Sequence, residues 1–127
     1  SENNKTADND YQEDDLIEED IGFDFNVNPV TKKDIIGKWE AISEETFDGD
    51  YESGDSITFK EDGTYIIEDI NKEGVYVLDN EKIIFYKNKE DIGKEGRFDE
   101  GLIGMQEGKL KILYILFPKV VTYKKIL

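Results

Sequence analysis

Between residues 38 and 126 about eight short runs of alternating apolar and polar residues follow one another. No stretch between them is long enough for a crossover helix. Parallel strands need such crossovers, so consecutive runs must pair antiparallel. The runs are Lys38 to Glu44, Ser56 to Lys60, Tyr65 to Ile67, Val75 to Leu78, Lys82 to Tyr86, Arg97 to Gln106, Lys109 to Phe117 and Val120 to Ile126. Reversals stand between them: Asp62-Gly63 in a hairpin context, Asn71-Lys72-Glu73-Gly74, Asp79-Asn80-Glu81, Glu107-Gly108 and Pro118-Lys119. A polar loop spans 48–55, and a longer charged stretch runs from Lys87 to Gly96. Gly101 and Gly104 predict a bulge or bend in the strand that contains them. Eight up-and-down strands remove their own edges by closing into a barrel. The fold class expected is therefore all-β, an eight-stranded antiparallel up-and-down barrel.

Period-two alternation assigns the faces. Trp39 and Ala41, Ile57 and Phe59, Tyr65 and Ile67, Tyr76 and Leu78, Ile83 and Phe85, and Leu110, Ile112 and Tyr114 share one parity within their strands. Lys38, Glu40, Lys60, Lys82, Lys109 and Lys111 hold the other, which water favours. Ile66, Ile84 and Ile115 break this pattern and leave the register of their strands open. Gly37-Lys38-Trp39 opens the first strand, and Trp39 reads as a plug for one barrel end. Before it, Thr31-Lys32-Lys33-Asp34 has the form of a helix start, with Thr31 as cap. Only a turn or so fits before Gly37, which predicts a short N-terminal helix over 31–36 closing that mouth.

Residues 1–28 carry ten acids and one lysine out of totals of 31 acids and 16 bases, so most of the net charge of −15 sits there. Such a segment buries too little apolar surface to offset its ordering entropy, and 1–28 reads as an acidic, disordered tether before a barrel domain over 29–127. The alternation Ile21, Phe23, Phe25, Val27 leaves a second reading open, an arm lying against the barrel. On the tether reading, removal of 1–28 leaves the melting temperature nearly unchanged. Asn28-Pro29 marks the boundary. The polar opening Ser1-Glu2-Asn3-Asn4-Lys5 has the form of the tether that follows a lipidated cysteine in many bacterial lipoproteins. An exported product, secreted or anchored to the cell envelope upstream of Ser1, is expected, with a cytoplasmic chain as the alternative. No apolar run reaches the ~18–20 residues of a membrane-spanning helix.

The chain has no cysteine and no histidine. This excludes disulfides, serine–histidine and cysteine–histidine hydrolysis, zinc sites of the usual ligand sets and histidine-held haem. The acidic balance disfavours nucleic acid, whose phosphates need a basic face, and anionic membrane surfaces. Asp48-Gly49-Asp50-Tyr51-Glu52-Ser53-Gly54-Asp55 offers oxygen ligands for calcium but lacks the glycine at its sixth position that the hand loop requires, and reads as a solvated loop. The adjacent carboxylates Glu68 and Asp69, or Asp99 and Glu100, are expected by chance in so acidic a chain. They do not make it an enzyme.

The succession Ile36-Gly37-Lys38-Trp39-Glu40, Ile57-Thr58-Phe59-Lys60-Glu61-Asp62-Gly63-Thr64-Tyr65, Gly74-Val75-Tyr76-Val77-Leu78-Asp79 and Lys82-Ile83-Ile84-Phe85 resembles the small lipocalin-like domains of bacterial secreted proteins and lipoproteins. The resemblance covers residues 31–126 in order. It implies an eight-stranded calycin-type barrel and the binding of a small apolar ligand. With histidine and cysteine missing, no enzymatic activity and no cofactor are expected. In animal lipocalins an arginine after the last strand stacks on the opening tryptophan. This chain has Lys124 and Lys125 there, and its sole arginine is Arg97.

A barrel of strands about seven residues long, tilted by ~40°, stands roughly 18 Å tall and either fills with side chains or admits one small ligand. If a ligand enters, Trp39, Phe59, Tyr65, Tyr76, Phe85 and Tyr114 are the residues to contact it, and Tyr123 offers a further hydroxyl. If the barrel is filled, those aromatics are core, and the protein is a monomeric interaction module that meets a protein partner through its loops or acidic arm. Both readings stand on the sequence alone.

Overall fold

The computed structural model describes residues 25–51, 55–94 and 97–127. Leu16, Ile17, Ile21, Phe23 and most of the tether lie outside the described residues. Among the described residues nine strands form one sheet: β1 (Gly37–Thr46), β2 (Gly49–Tyr51), β3 (Ser56–Phe59), β4 (Thr64–Ile67), β5 (Lys72–Asp79), β6 (Lys82–Tyr86), β7 (Arg97–Gln106), β8 (Lys109–Tyr114) and β9 (Lys119–Lys125). β1 pairs with β3, and each later strand pairs with the next. β9 returns to β1 from Trp39↔Lys125 to Glu45↔Val120, so eight strands close an antiparallel barrel. β2 is a ninth strand, added where β1 runs on past β3 and folds back through Thr46↔Gly49. It occupies part of the segment read as loop. The expected N-terminal helix shrinks to one turn, α1 (Lys32–Ile35).

Local chemistry explains the reversals. In the β3–β4 hairpin the Lys60 carbonyl accepts from Gly63 N (3.1 Å), and Asp62 Oδ1 accepts from both the amide and the hydroxyl of Thr64 (3.0 and 2.6 Å). Gly63 has φ of +91°, which a residue with a Cβ adopts only under strain. The strand from Arg97 to Gln106 is unbroken, and its glycines mark no bulge of their own. The register shift falls instead between β6 and β7, where Phe85↔Asp99 is followed by Tyr86↔Arg97. Gly101 and Gly104 serve close approach. A Cβ on Gly104 would strike the Val27 side chain, and one on Gly101 would meet the Leu113 carbonyl at 2.5 Å. β8 ends at Tyr114, three residues short of the run read from sequence. Phe117 stands 76% exposed in the turn that Pro118 helps to close.

The inward parity holds for every pair named from alternation. Trp39, Ala41, Ile57, Phe59, Tyr65, Tyr76, Ile83, Phe85, Leu110 and Ile112 are buried in one cluster, with Ile67, Leu78 and Tyr114 packed against it. Val30, Ile35, Ile103, Val121 and Tyr123 complete the cluster. Ile66 and Ile84 take the opposite face of their strands and are half-buried there, Ile84 opposite Val77 across β5 and β6, while half-buried Ile115 lies in the turn after β8. The β3–β4 and β5–β6 pairings run through Ile66 and Ile84 without a register shift.

One end of the barrel is sealed. The Trp39 indole Nε1 donates to the Ile35 carbonyl at 2.9 Å, satisfying an end carbonyl of α1, while Ile35 and Trp39 are fully buried. Thr31 caps the turn through Asp34 Oδ2, at 2.8 Å from its amide and 3.0 Å from its hydroxyl. The C-terminus crosses the same end, with Ile126 N and Leu127 N donating to the Lys38 carbonyl at 2.9 and 3.3 Å.

A second, smaller cluster lies outside the barrel wall. Phe25 is buried against Leu113 and Val120, with Val27 and Leu102 beside it. Asn28 exchanges two backbone hydrogen bonds with Met105, at 2.7 and 2.8 Å, on the stretch of β7 beyond the end of its pairing with β6. Residues 25–28 therefore lie along the barrel as an added edge segment.

Candidate functional site

Strand direction separates the barrel into two halves. The sealed half holds Trp39, Phe59 and Tyr76. Phe59 meets the Tyr76 ring edge-on at a centroid separation of 5.0 Å, and the Tyr76 hydroxyl donates to the Lys60 carbonyl at 2.8 Å. The other half opens at the far ends of β1, β5, β7 and β9 into a cavity of about 170 Å³. Tyr65, Phe85, Tyr114 and Tyr123 line its walls, and Ile57, Ile67 and Val121 line it between them. Phe85 joins the halves. It lies 6.4 Å from Phe59, 5.0 Å from Tyr65 and 6.1 Å from Tyr114 by ring centroid.

Of the six residues read from sequence as ligand contacts, the structure brings Tyr65, Phe85 and Tyr114 to the cavity. It places Trp39, Phe59 and Tyr76 in the packed half, away from it. Alternation correctly turns all six inward, but it cannot tell which end of a strand faces an open mouth.

Polar groups crowd the opening. The Tyr114 and Tyr123 hydroxyls share a hydrogen bond of 2.7 Å. Lys119 Nζ lies 3.3 Å from Glu44 Oε1 and 5.6 Å from the Tyr114 ring centroid. Asp99 faces the cavity from β7, with Lys72 also in the lining. Its Oδ1 accepts from Glu100 N at 2.7 Å, and the Leu116 backbone adds a second donor. Burial nevertheless dominates and holds the carboxyl above its usual range, against those two donors and the nearby Lys119 and Lys72. Burial also pushes the Tyr65 hydroxyl up to about 12, with the Asp99 charge adding to it. Tyr114 and Tyr123 are likewise raised, chiefly by burial.

The paired carboxylates come apart. Asp99 points into the mouth, while Glu100, its neighbour on the other face, has Oε2 3.8 Å from Lys82 Nζ. Glu68 holds Lys38 at 2.9 Å, and Asp69 accepts from the Ser56 amide at 2.7 Å. Among the described residues no group of three acids is gathered to hold a metal ion. Lys72, Asp99 and Lys119 are the mouth residues that alternation undervalues. Each stands near a strand end on the inward parity, where a charged residue signals an opening.

A search of solved structures finds a lipocalin-like protein from Bacteroides uniformis. It is superimposable with a TM-score of 0.54, at 16% identity, over 73% of this chain and 99% of that one. The fold is that of a lipocalin-like barrel. No protein-family model matches the sequence, and no curated protein does. The likeness, at this identity, concerns the barrel and not the mouth. The lysine departure is visible at the sealed end of this lipocalin-like barrel, where Lys125 Nζ lies 5.8 Å from the Trp39 ring centroid.

Proposed function

We propose that the protein is a non-enzymatic binding module that takes a small, partly apolar ligand into the open mouth of its barrel. The observation that supports this reading is the asymmetry of the barrel interior. Trp39, Phe59 and Tyr76 occupy one half among buried side chains, and the other keeps about 170 Å³ between four aromatic rings, with hydroxyls and charges at the rim. Pockets for drug-sized ligands measure roughly 300–1,000 Å³, whereas an apolar cavity of about 150 Å³ admits benzene. A ligand with one ring or a short branched chain fits, and a long fatty chain does not. Any further apolar part would lie over Ile70, which lines the cavity while 59% exposed.

Native mass spectrometry of protein purified from its source, with a parallel ligand-observed NMR screen of one-ring fragments, tests this. Fragments that shift the Tyr65 and Tyr114 resonances support it. No bound molecule and no fragment perturbing the mouth would overturn it.

The second reading, a protein-interaction module with no small ligand, draws on Leu116 and Phe117, which stand 61% and 76% exposed in the β8–β9 turn. Loss of partner capture on replacing both with serine, with fragment binding absent, favours that reading. An exported, envelope-tethered location belongs to the same proposal and rests on the acidic leading segment. Fractionation of source cells tests it, and recovery only from the cytoplasm would refute it.

A further inference from the structure

We propose that the ligand of the open mouth is a cation, an ammonium group carried on a one-ring body, with Asp99 as its counter-ion and the tyrosine rings as its walls. This inference rests on the small-ligand reading above and names the chemical class. Asp99 is the acid on the inward parity of β7, and it stands in the same lining as Tyr65, Phe85, Tyr114 and Tyr123. Aromatic faces attract cations through their quadrupole, more strongly where water is excluded. The mouth already shows this preference, because Lys119 places its ammonium 5.6 Å from the Tyr114 ring.

The charges around the cavity decide the sign. Glu44, Asp55 and Asp99 line it against Lys72 and Lys119, and Lys119 is already committed to Glu44 at 3.3 Å. Asp99 takes hydrogen bonds from two backbone amides, yet burial outweighs them and the two lysines together, so its charge gains from a further cation. An anion entering the mouth would meet Asp99 head-on and would approach against the chain's net charge of −15. An uncharged ring would gain the apolar contacts alone.

Three probes of one shape separate these cases: benzylamine, benzyl alcohol and benzoate, titrated into the full chain by isothermal calorimetry and followed by NMR at the tyrosines. Benzylamine is expected to bind about tenfold more tightly than benzyl alcohol, as a charge-assisted contact allows, and benzoate more weakly than both. Asp99→Asn should bring benzylamine to within about threefold of benzyl alcohol, with far-ultraviolet circular dichroism showing that the variant is folded. The comparison among probes on the unaltered protein needs no variant and stands if Asp99→Asn fails to fold. Equal or tighter binding of benzyl alcohol or benzoate would overturn the cation assignment and leave the small-ligand reading intact. Retention of the full amine preference in folded Asp99→Asn would overturn the role of Asp99. Binding of none of the three at the mouth would remove the small-ligand reading and this inference with it.

Discussion

The Lys125 ammonium lies 5.8 Å from the centroid of the Trp39 ring, at the sealed end where animal lipocalins place a stacked arginine. The lysine is exposed, so its cation–π contact contributes only ~0.5–1 kcal/mol. The plug itself depends on the indole. Trp39 Nε1 satisfies the Ile35 carbonyl inside a fully buried site. Trp39→Phe leaves that carbonyl unpaired and opens space, at an expected cost of about 2–4 kcal/mol. Lys125→Ala should cost less than about 1 kcal/mol. Urea unfolding of both variants checks the order, and a larger loss for Lys125→Ala would show that the cation, not the indole bond, holds the plug.

The leading segment contributes to stability through its last residues. Phe25 is buried on Leu113 and Val120, and Asn28 bridges to Met105. This packing favours the arm reading, on which removing 1–28 is not neutral. Burial of one phenylalanine contributes roughly 2–3 kcal/mol, and each kcal/mol moves the melting temperature of a domain this size by about 4–8 °C. Removal of 1–28 should lower it by about 10 °C, and Phe25→Ala should reproduce most of that loss. Gly104→Ala should do part of the same, because a Cβ there would strike Val27. Scanning calorimetry of the three variants would refute this packing if all melted with the parent.

Alkaline stability follows from the buried phenols. Burial raises the Tyr65 and Tyr76 hydroxyls to about 12 from a usual 10. The folded state thus holds these protons more tightly than the unfolded chain. Stability from this source is full below about pH 10 and is lost as the pH rises from 10 through 12. Far-ultraviolet circular dichroism and tyrosinate absorbance, followed together, should show unfolding and phenol ionisation in the same interval. Ionisation of Tyr65 and Tyr76 near pH 10 in a still-folded protein would contradict it.

Sequence reading recovered the barrel because both of its determinants are local. Two-residue alternation from Trp39 to Tyr114 sets the faces, and turn residues such as Asp62 and Gly63 set the reversals. It missed what depends on meetings of distant segments. β2 exists only because β1 outruns β3 and has an edge to offer. Gly101 and Gly104 read as bend signals because the side chain that crosses Gly104 comes from Val27, far away in the chain. The site was half legible. Tyr65, Phe85 and Tyr114 share a parity with Trp39, Phe59 and Tyr76, and nothing in alternation says that the first three meet a cavity and the others a plug. Asp99 was visible only as one acid beside another, although period two sends Asp99 inward and Glu100 out to Lys82.

The hydrogen bond between Tyr114 and Tyr123, 2.7 Å between hydroxyls at the cavity wall, gives a test of how the mouth is held. Tyr123 is buried and Tyr114 is packed against the core, so each hydroxyl relies on the other within a largely apolar wall. Removing one hydroxyl leaves the other without this bond, at a cost of about 1–2 kcal/mol. Removing both leaves no orphan and should cost less than the two singles combined. Tyr114→Phe, Tyr123→Phe and the double variant, compared by urea unfolding, are therefore expected to show a coupling of about 1 kcal/mol. Additive losses would mean that water entering the mouth satisfies each hydroxyl separately. In that case the mouth is wetter than its aromatic lining implies, and a ligand would gain less from displacing that water.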